Sequence, residues 1–126
     1  MPEVLRLALA VGVGGFFGAI ARFGTSAAAV AALGARWPVG TFVANCLGCL
    51  LLGWLRPWQL GGGSAVVAAL VLTGFCGSYT TFSTFMLESH ELTVAHGGKA
   101  AALYVAGSVV GGALCVAVGM RLGAPS

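Results

Sequence analysis

Charge is what this chain has least of. Only 7% of its 126 residues are Asp, Glu, Lys or Arg, aspartate is absent, and the three carboxylates are Glu3, Glu88 and Glu91. A soluble domain of this size needs a charged surface, and six basic residues against three acidic ones cannot supply it. The net charge of +3 is spread singly along the chain, so the basic face of a nucleic-acid binder is missing too. What fills the space is apolar: 59% of residues are hydrophobic and the mean hydropathy is +1.00. This composition predicts a single all-α integral membrane domain over residues 1–126, with lipid as its solvent.

A helix needs roughly 20 apolar residues to cross a bilayer core. Four runs of that size are separated by Gly, Pro or charge, at about residues 4–33, 38–56, 64–94 and 98–121. Pro38 suits a first helical turn, and "WLRPW" sets interfacial tryptophans on either side of Arg56. The connections are short, so successive spans are expected to run antiparallel. The first run is too long for a cleavable signal peptide and lacks its small-residue cleavage pattern.

Lys and Arg near span ends normally set orientation. Here Arg6, Arg56 and Arg121 fall on one side and Arg22, Arg36 and Lys99 on the other, so there is no bias. The expectation is insertion in both orientations, with two opposed copies pairing about an axis in the membrane plane.

Glycines four apart, Gly14 with Gly18 and Gly107 with Gly111, suit close helix packing in lipid. "GVGGFFG" half-matches a nucleotide-binding glycine pattern, but no strand precedes it and no acidic residue follows at the required distance. "CLGC" has the spacing of a redox or zinc pair at Cys46 and Cys49. It lies inside an apolar run with no βα context, so these cysteines, with Cys76 and Cys115, read as polarizable packing residues. His90 between Glu88 and Glu91 lacks further metal ligands and reads as solvated interface.

One stretch departs from the apolar pattern, "TGFCGSYTTFSTFMLE" from Thr73 to Glu88. "GSYTT" joins poor helix formers, which predicts a third span broken near the bilayer midplane. Such a break frees backbone groups, and these are tolerated only where protein, water or an ion satisfies them. A kink made for packing alone is the other reading of the same residues. Beyond the break, Thr84 and Glu88 share a helix face and Phe82 lies beside Phe85. Thr41 with Asn45 in the second span, and Tyr104 with Ser108 in the fourth, form matching stripes four residues apart. Asn45 should point into the bundle, since its amide is costly in hydrocarbon; an interhelical hydrogen bond would also account for it. Hydroxyl and amide donors beside the positive edges of phenyl rings suit a small, hard anion.

"GGFFGAIARF", "PVGTFVANCLG" and "GFCGSYTTFSTFMLE" together resemble the three signatures of the CrcB/Fluc fluoride channels, and with the four-span layout the likeness covers nearly the whole chain. The resemblance implies an antiparallel, dual-topology homodimer in the cell's inner (plasma) membrane, with two pores that export cytoplasmic fluoride passively, without enzyme chemistry. By motif position it implies Asn45 as a pore donor and Phe82 and Phe85 as rings whose edges meet fluoride. Ser83, Thr84, Glu88, Tyr104 and Ser108 would continue the polar track, with Thr41 beside it. Gly77 and Thr80 would give backbone carbonyls to a structural Na⁺ on the two-fold axis, and Arg22 matches a first-span arginine of the family. Two positions depart from the pattern: Ser78 where many members have a second glycine, and Gly112 where some have a hydroxyl. Small multidrug exporters share the four spans and dual topology, but their proton-coupled cation export wants a carboxylate inside the first span, where this chain has none.

Overall fold

The computed structural model describes residues 1–125, and Ser126 lies outside them. Every regular element among these residues is helical. Helix α1 spans Glu3–Leu33 and α2 spans Val39–Leu60. The third stretch is built in pieces: α3 at Ala65–Ala68, a π-helical segment at Ala69–Cys76, α4 at Gly77–Tyr79, and α5 at Ser83–His96. Helix α6 spans Gly98–Gly123. Four stretches, Glu3–Leu33, Val39–Leu60, Ala65–His96 and Gly98–Gly123, are long and apolar enough to cross a membrane.

Glycine ends the helices where the chain must turn. Gly34 (φ 80°) follows α1 and Gly97 (φ 88°) separates α5 from α6, each in the left-handed region that a side chain resists. Their amides close onto Val30 and Thr93 carbonyls at 2.9 and 3.0 Å. The second span continues past residue 56, through Pro57, to Leu60. A proline this close to the end removes one helical hydrogen bond without stopping the turn, and the Arg56 guanidinium donates to Gln59 Oε1 at 2.6 Å across it.

Packing is organised as two pairs of alternate spans. In the first, a Cβ at Gly14 would overlap the Leu70 carbonyl, and one at Gly18 the Phe75 carbonyl, so α1 lies backbone to backbone on the π segment. In the second, α2 and α6 run in the same direction, with Phe42 beside Gly111 at one end and Trp54 beside Gly123 at the other. Their closest approach uses Gly53 against the Val116 carbonyl, Gly119 against that of Leu50, and Gly123 against that of Trp54. This corrects the sequence reading of Gly107 and Gly111 as the close-packing pair of the fourth span. A Cβ at Gly107 would meet open space, and one at Gly111 would sit 3.3 Å from the flexible Phe42 ring. The same four-residue spacing recurs at Gly119 and Gly123, where backbone does meet backbone. Outside the seams, large apolar side chains such as Phe16, Phe23 and Leu103 are exposed, as residues facing lipid must be.

Candidate functional site

Helical winding stops at Tyr79, and Thr80 is extended at φ −81° and ψ 158°. Its amide and hydroxyl both donate to the Cys76 carbonyl, at 3.0 and 2.9 Å. A Cβ at Gly48 of α2 would overlap the Thr80 methyl, so a glycine on the neighbouring helix makes room for the departing chain. One turn earlier on α2, Asn45 meets the next residue with both ends of its amide. Asn45 Oδ1 accepts from the Thr81 amide at 2.8 Å, and Asn45 Nδ2 donates to the Thr81 carbonyl at 3.2 Å. Asn45 thereby replaces the two helical partners that Thr81 lacks. Thr81 Oγ1 in turn accepts from the Thr84 amide at 3.2 Å, satisfying a free donor where α5 begins. Among the described residues no donor is bonded to the carbonyls of Gly77, Ser78, Tyr79 or Thr80.

From Asn45 a polar track leads along α2 and α5. The Glu88 carboxyl joins three helices: Oε1 accepts from Thr41 Oγ1 at 2.9 Å, and Oε2 accepts from the Tyr104 hydroxyl at 3.0 Å. The Phe85 ring is buried, 5.3 Å from the Tyr104 ring and 6.1 Å from that of Phe82. Phe82 itself is 73% exposed. One turn beyond Tyr104, Ser108 Oγ is buried without a hydrogen-bond partner among the described residues. Asn45, Thr80, Thr81, Phe82, Phe85 and Ser108 line a groove of about 460 Å³. Past Glu88 a second pocket of about 290 Å³ is lined by Ser26, Arg36, Thr41, Glu88, Glu91 and His96. The Trp37 ring stacks on His96 at 4.7 Å and lies 5.8 Å from the Arg36 guanidinium beside this pocket. Thr41 and Glu88 thus stand between the groove and the outer pocket.

The structure brings Thr41, Asn45, Phe85, Glu88, Tyr104 and Ser108 to one side of the bundle. It does not bring Ser83 or Thr84 there: both are exposed, and Thr84 uses its amide rather than its hydroxyl. Arg22 is half-buried on α1, one turn before Ser26, and among the described residues it makes no hydrogen bond or ion pair through its side chain. Gly77 faces open space. Several hydroxyls of the third stretch are used locally, Ser89 on the Phe85 carbonyl at 2.7 Å and Thr93 on that of Ser89 at 2.9 Å, the usual back-bonding of Ser and Thr in apolar helices.

Two participants escaped sequence reasoning. Thr81 supplies both backbone groups that Asn45 holds, and Tyr79 shares a 2.9 Å hydrogen bond with Thr25 that ties α4 to α1. A buried phenol requires a polar partner, so a hydroxyl on the first span was the available signal for the second.

Tyr104→Phe tests how Glu88 is held, because it keeps the ring against Phe85 and removes only one donor. The expected cost is about 1 kcal/mol, typical of one hydrogen bond between membrane helices, read as a lower melting temperature with unchanged helix content. An unaltered melt would mean that Glu88 does not depend on this contact.

Comparison with known proteins places this architecture. The CrcB-like protein, Camphor Resistance (CrcB) family matches residues 9–120. The chain is similar to the fluoride-specific ion channel FluC of Chlorobium phaeobacteroides (strain BS1), 42% identical over 126 residues that cover 97% of this chain and 96% of the relative. It is also similar to that of Chlorobaculum tepidum, 41% identical over 94% of this chain and 95% of the relative, and that of Chloroflexus aurantiacus, 40% identical over 91% and 93%. A match spanning almost the whole four-helix unit leaves one conclusion, that this chain belongs to the CrcB-like family.

Proposed function

We propose that the chain is the subunit of a fluoride-selective channel that lets cytoplasmic fluoride leave down its electrochemical gradient. The observation that carries this reading is the groove beside the interrupted third span, where amide, hydroxyl and phenyl groups gather and no Lys or Arg intrudes. The names of the relatives support it.

Fluoride is small and strongly hydrated, and leaving water requires replacement donors at close range. Ser108 Oγ is a donor without a partner, and Asn45 Nδ2 keeps one hydrogen beyond the one bound to Thr81. The Phe82 and Phe85 edges carry partial positive charge, which favours an anion without the deep trap that a buried cation would form. Thr41 and Tyr104 donate to Glu88 at the mouth and stand ready to rotate toward an anion. No enzymatic step is required. Fluoride protonated in acid surroundings enters as neutral HF and ionises inside, and an inside-negative potential then drives the anion out by about 2.3 kcal/mol per 100 mV.

The conducting unit in this proposal is an antiparallel homodimer with two pores, in the inner (plasma) membrane. Phe82, Ser83 and Thr84 are exposed on the single chain and the groove is open along one side. A second copy laid on this face would wall the groove and bring each Phe82 against its partner. The carbonyls of Gly77 to Thr80 have no donor among the described residues, and oxygen ligands of this kind fit a hard monovalent cation. Gly77 and Thr80 would hold Na⁺ at the two-fold axis, where its charge would keep the two breaks together. No structural observation favours the multidrug-exporter reading, and the first span has its one carboxylate, Glu3, at its first residue, with none along its interior for proton coupling.

Purified protein in liposomes made permeable to K⁺ tests the activity with a fluoride electrode. Fluoride efflux is expected, with chloride efflux far slower; no fluoride efflux, or equal chloride efflux, would overturn the function. Reporter domains fused to the C-terminus test the topology separately. They are expected to read out on both sides of the membrane, and a one-sided readout would remove the antiparallel dimer.

A further inference from the structure

We propose that Arg56 captures anions for the groove, standing over an antechamber where fluoride is held with its water before it enters, a role that rests on the channel function proposed above. Two stripes lead to this residue. On α2, Asn45, Cys49, Leu52, Arg56 and Gln59 follow one another at spacings of four and three, which is one face of a helix. On α6, Ser108, Gly112, Val116 and Met120 follow at spacings of four. The groove that holds Asn45 and Ser108 has Leu52 and Val116 in its wall, and both also wall a further pocket of about 470 Å³. Arg56, Gln59 and Met120 line that pocket, with Thr73 of the π segment. The two cavities are therefore neighbours, and the stripes on α2 and α6 run through both.

The two ends of the groove differ in charge. Past Thr41 and Glu88, the outer pocket sets Glu88 and Glu91 against Arg36 and His96. The Arg56 pocket has a guanidinium and, among the described residues, no carboxylate in its lining. The partner of that guanidinium is neutral: Arg56 Nη1 donates to Gln59 Oε1 at 2.6 Å, which fixes the group without cancelling its charge. A guanidinium carries further N–H donors for an anion or its water. A volume of about 470 Å³ also leaves room for an ion with several waters, each of which takes about 30 Å³ of the liquid. Asn45 lies roughly 16 Å back along α2 at 1.5 Å per residue, too far for Arg56 to touch an ion held there. The charge thus acts on arrival: it raises local fluoride at one end of the groove and leaves the close contacts inside to neutral donors.

Arg56→Gln tests this in phosphatidylcholine vesicles made permeable to K⁺, with a fluoride electrode following initial efflux and circular dichroism confirming the fold. At low fluoride and low ionic strength the rate is expected to fall roughly tenfold, the low end of the gains that clefts of one charge give. At saturating fluoride it should stay within about twofold of wild type, because capture no longer limits. Inert salt near 1 M shortens the Debye length to about 3 Å and should erase the difference. Arg56→Lys should keep most of the wild-type rate, and Arg56→Glu should fall below Arg56→Gln. Arg121→Gln removes the same charge from the same end of α6, where Gly123 meets Trp54, but Arg121 does not line the pocket, so this variant should behave as wild type. The proposal is overturned if Arg56→Gln lowers the rates at low and saturating fluoride alike, or if Arg121→Gln matches Arg56→Gln. It is equally overturned if the loss appears only when anionic phosphatidylglycerol is added, which would assign the guanidinium to lipid headgroups. Wild-type vesicles that release no fluoride would remove the channel function and this role with it, whereas normal wild-type efflux with an unaffected Arg56→Gln removes this role alone.

Discussion

An Asn45→Ala protein is expected to lose most of its fluoride flux and to melt far below wild type. The carboxamide satisfies a backbone donor and a backbone acceptor of Thr81 at once, at 2.8 and 3.2 Å. Alanine leaves both without a partner at the point where the third span has already given up its helical bonds. An unsatisfied polar group costs up to about 1–3 kcal/mol, so the pair removes a substantial part of the margin of about 5–15 kcal/mol that holds a typical domain folded. Thr81 also positions α5 through its hydroxyl on the Thr84 amide, so its displacement would carry Phe82, Phe85 and Glu88 with it. Asn45→Asp separates the parts of this effect. It keeps an oxygen for the Thr81 amide and sets a second oxygen against the Thr81 carbonyl, so it should recover part of the stability and little of the flux. Thermal melts and liposome efflux on both variants provide the measurement, and an alanine variant with wild-type melting would show that the break does not rest on Asn45.

The second large effect is expected from Gly14→Ala combined with Gly18→Ala. Each added methyl would run into a main-chain carbonyl, of Leu70 or Phe75, and main chain cannot rotate away as a side chain can. Overpacking of this kind costs about 1–3 kcal/mol per site, and the two sites lie on one seam, so α1 must lift from the π segment as a unit. Folded yield should collapse. Gly12→Ala and Gly24→Ala supply the internal control, because a Cβ at either position meets open space. There the higher helix propensity of alanine should be neutral in effect or stabilise by up to about 1 kcal/mol. Equal behaviour of the two pairs in a melting series would show that the α1 seam is not set by its glycines.

These two sites also show what a sequence can disclose. The number of membrane-length helices is visible in hydropathy, because a run of apolar residues has only one stable solvent. Gly14 and Gly18 are visible because their spacing is a local property of one helix. The stripes Thr41 with Asn45 and Tyr104 with Ser108 are local in the same sense, but which stripe meets which depends on how helices rotate against one another. That Glu88 accepts from both Thr41 and Tyr104 follows only from the packed bundle. Thr81 was hidden for a further reason: its contribution is backbone, and the backbone of every residue looks alike in sequence. Gly119 and Gly123 were within reach of the spacing rule, yet the polar flank "MRLG" made them look like the end of a span rather than the tightest part of a seam.

The π-helical winding of Ala69–Cys76 has an effect beyond its own seam. Its hydrogen bonds close over five residues instead of four, so the segment carries more residues for a given rotation than an α-helix. Everything downstream inherits that phase difference: Tyr79 is aimed at Thr25, and the chain reaches Thr80 facing Gly48. In the language of insertions and deletions, the segment behaves as an extra residue stored inside a helix. Rewinding the same residues as ordinary α-helix would exchange the five-residue closures for four-residue ones and turn Tyr79 and Thr80 away from Thr25 and Gly48. The register of the site is therefore written upstream of the site, in a stretch that contributes none of its polar side chains.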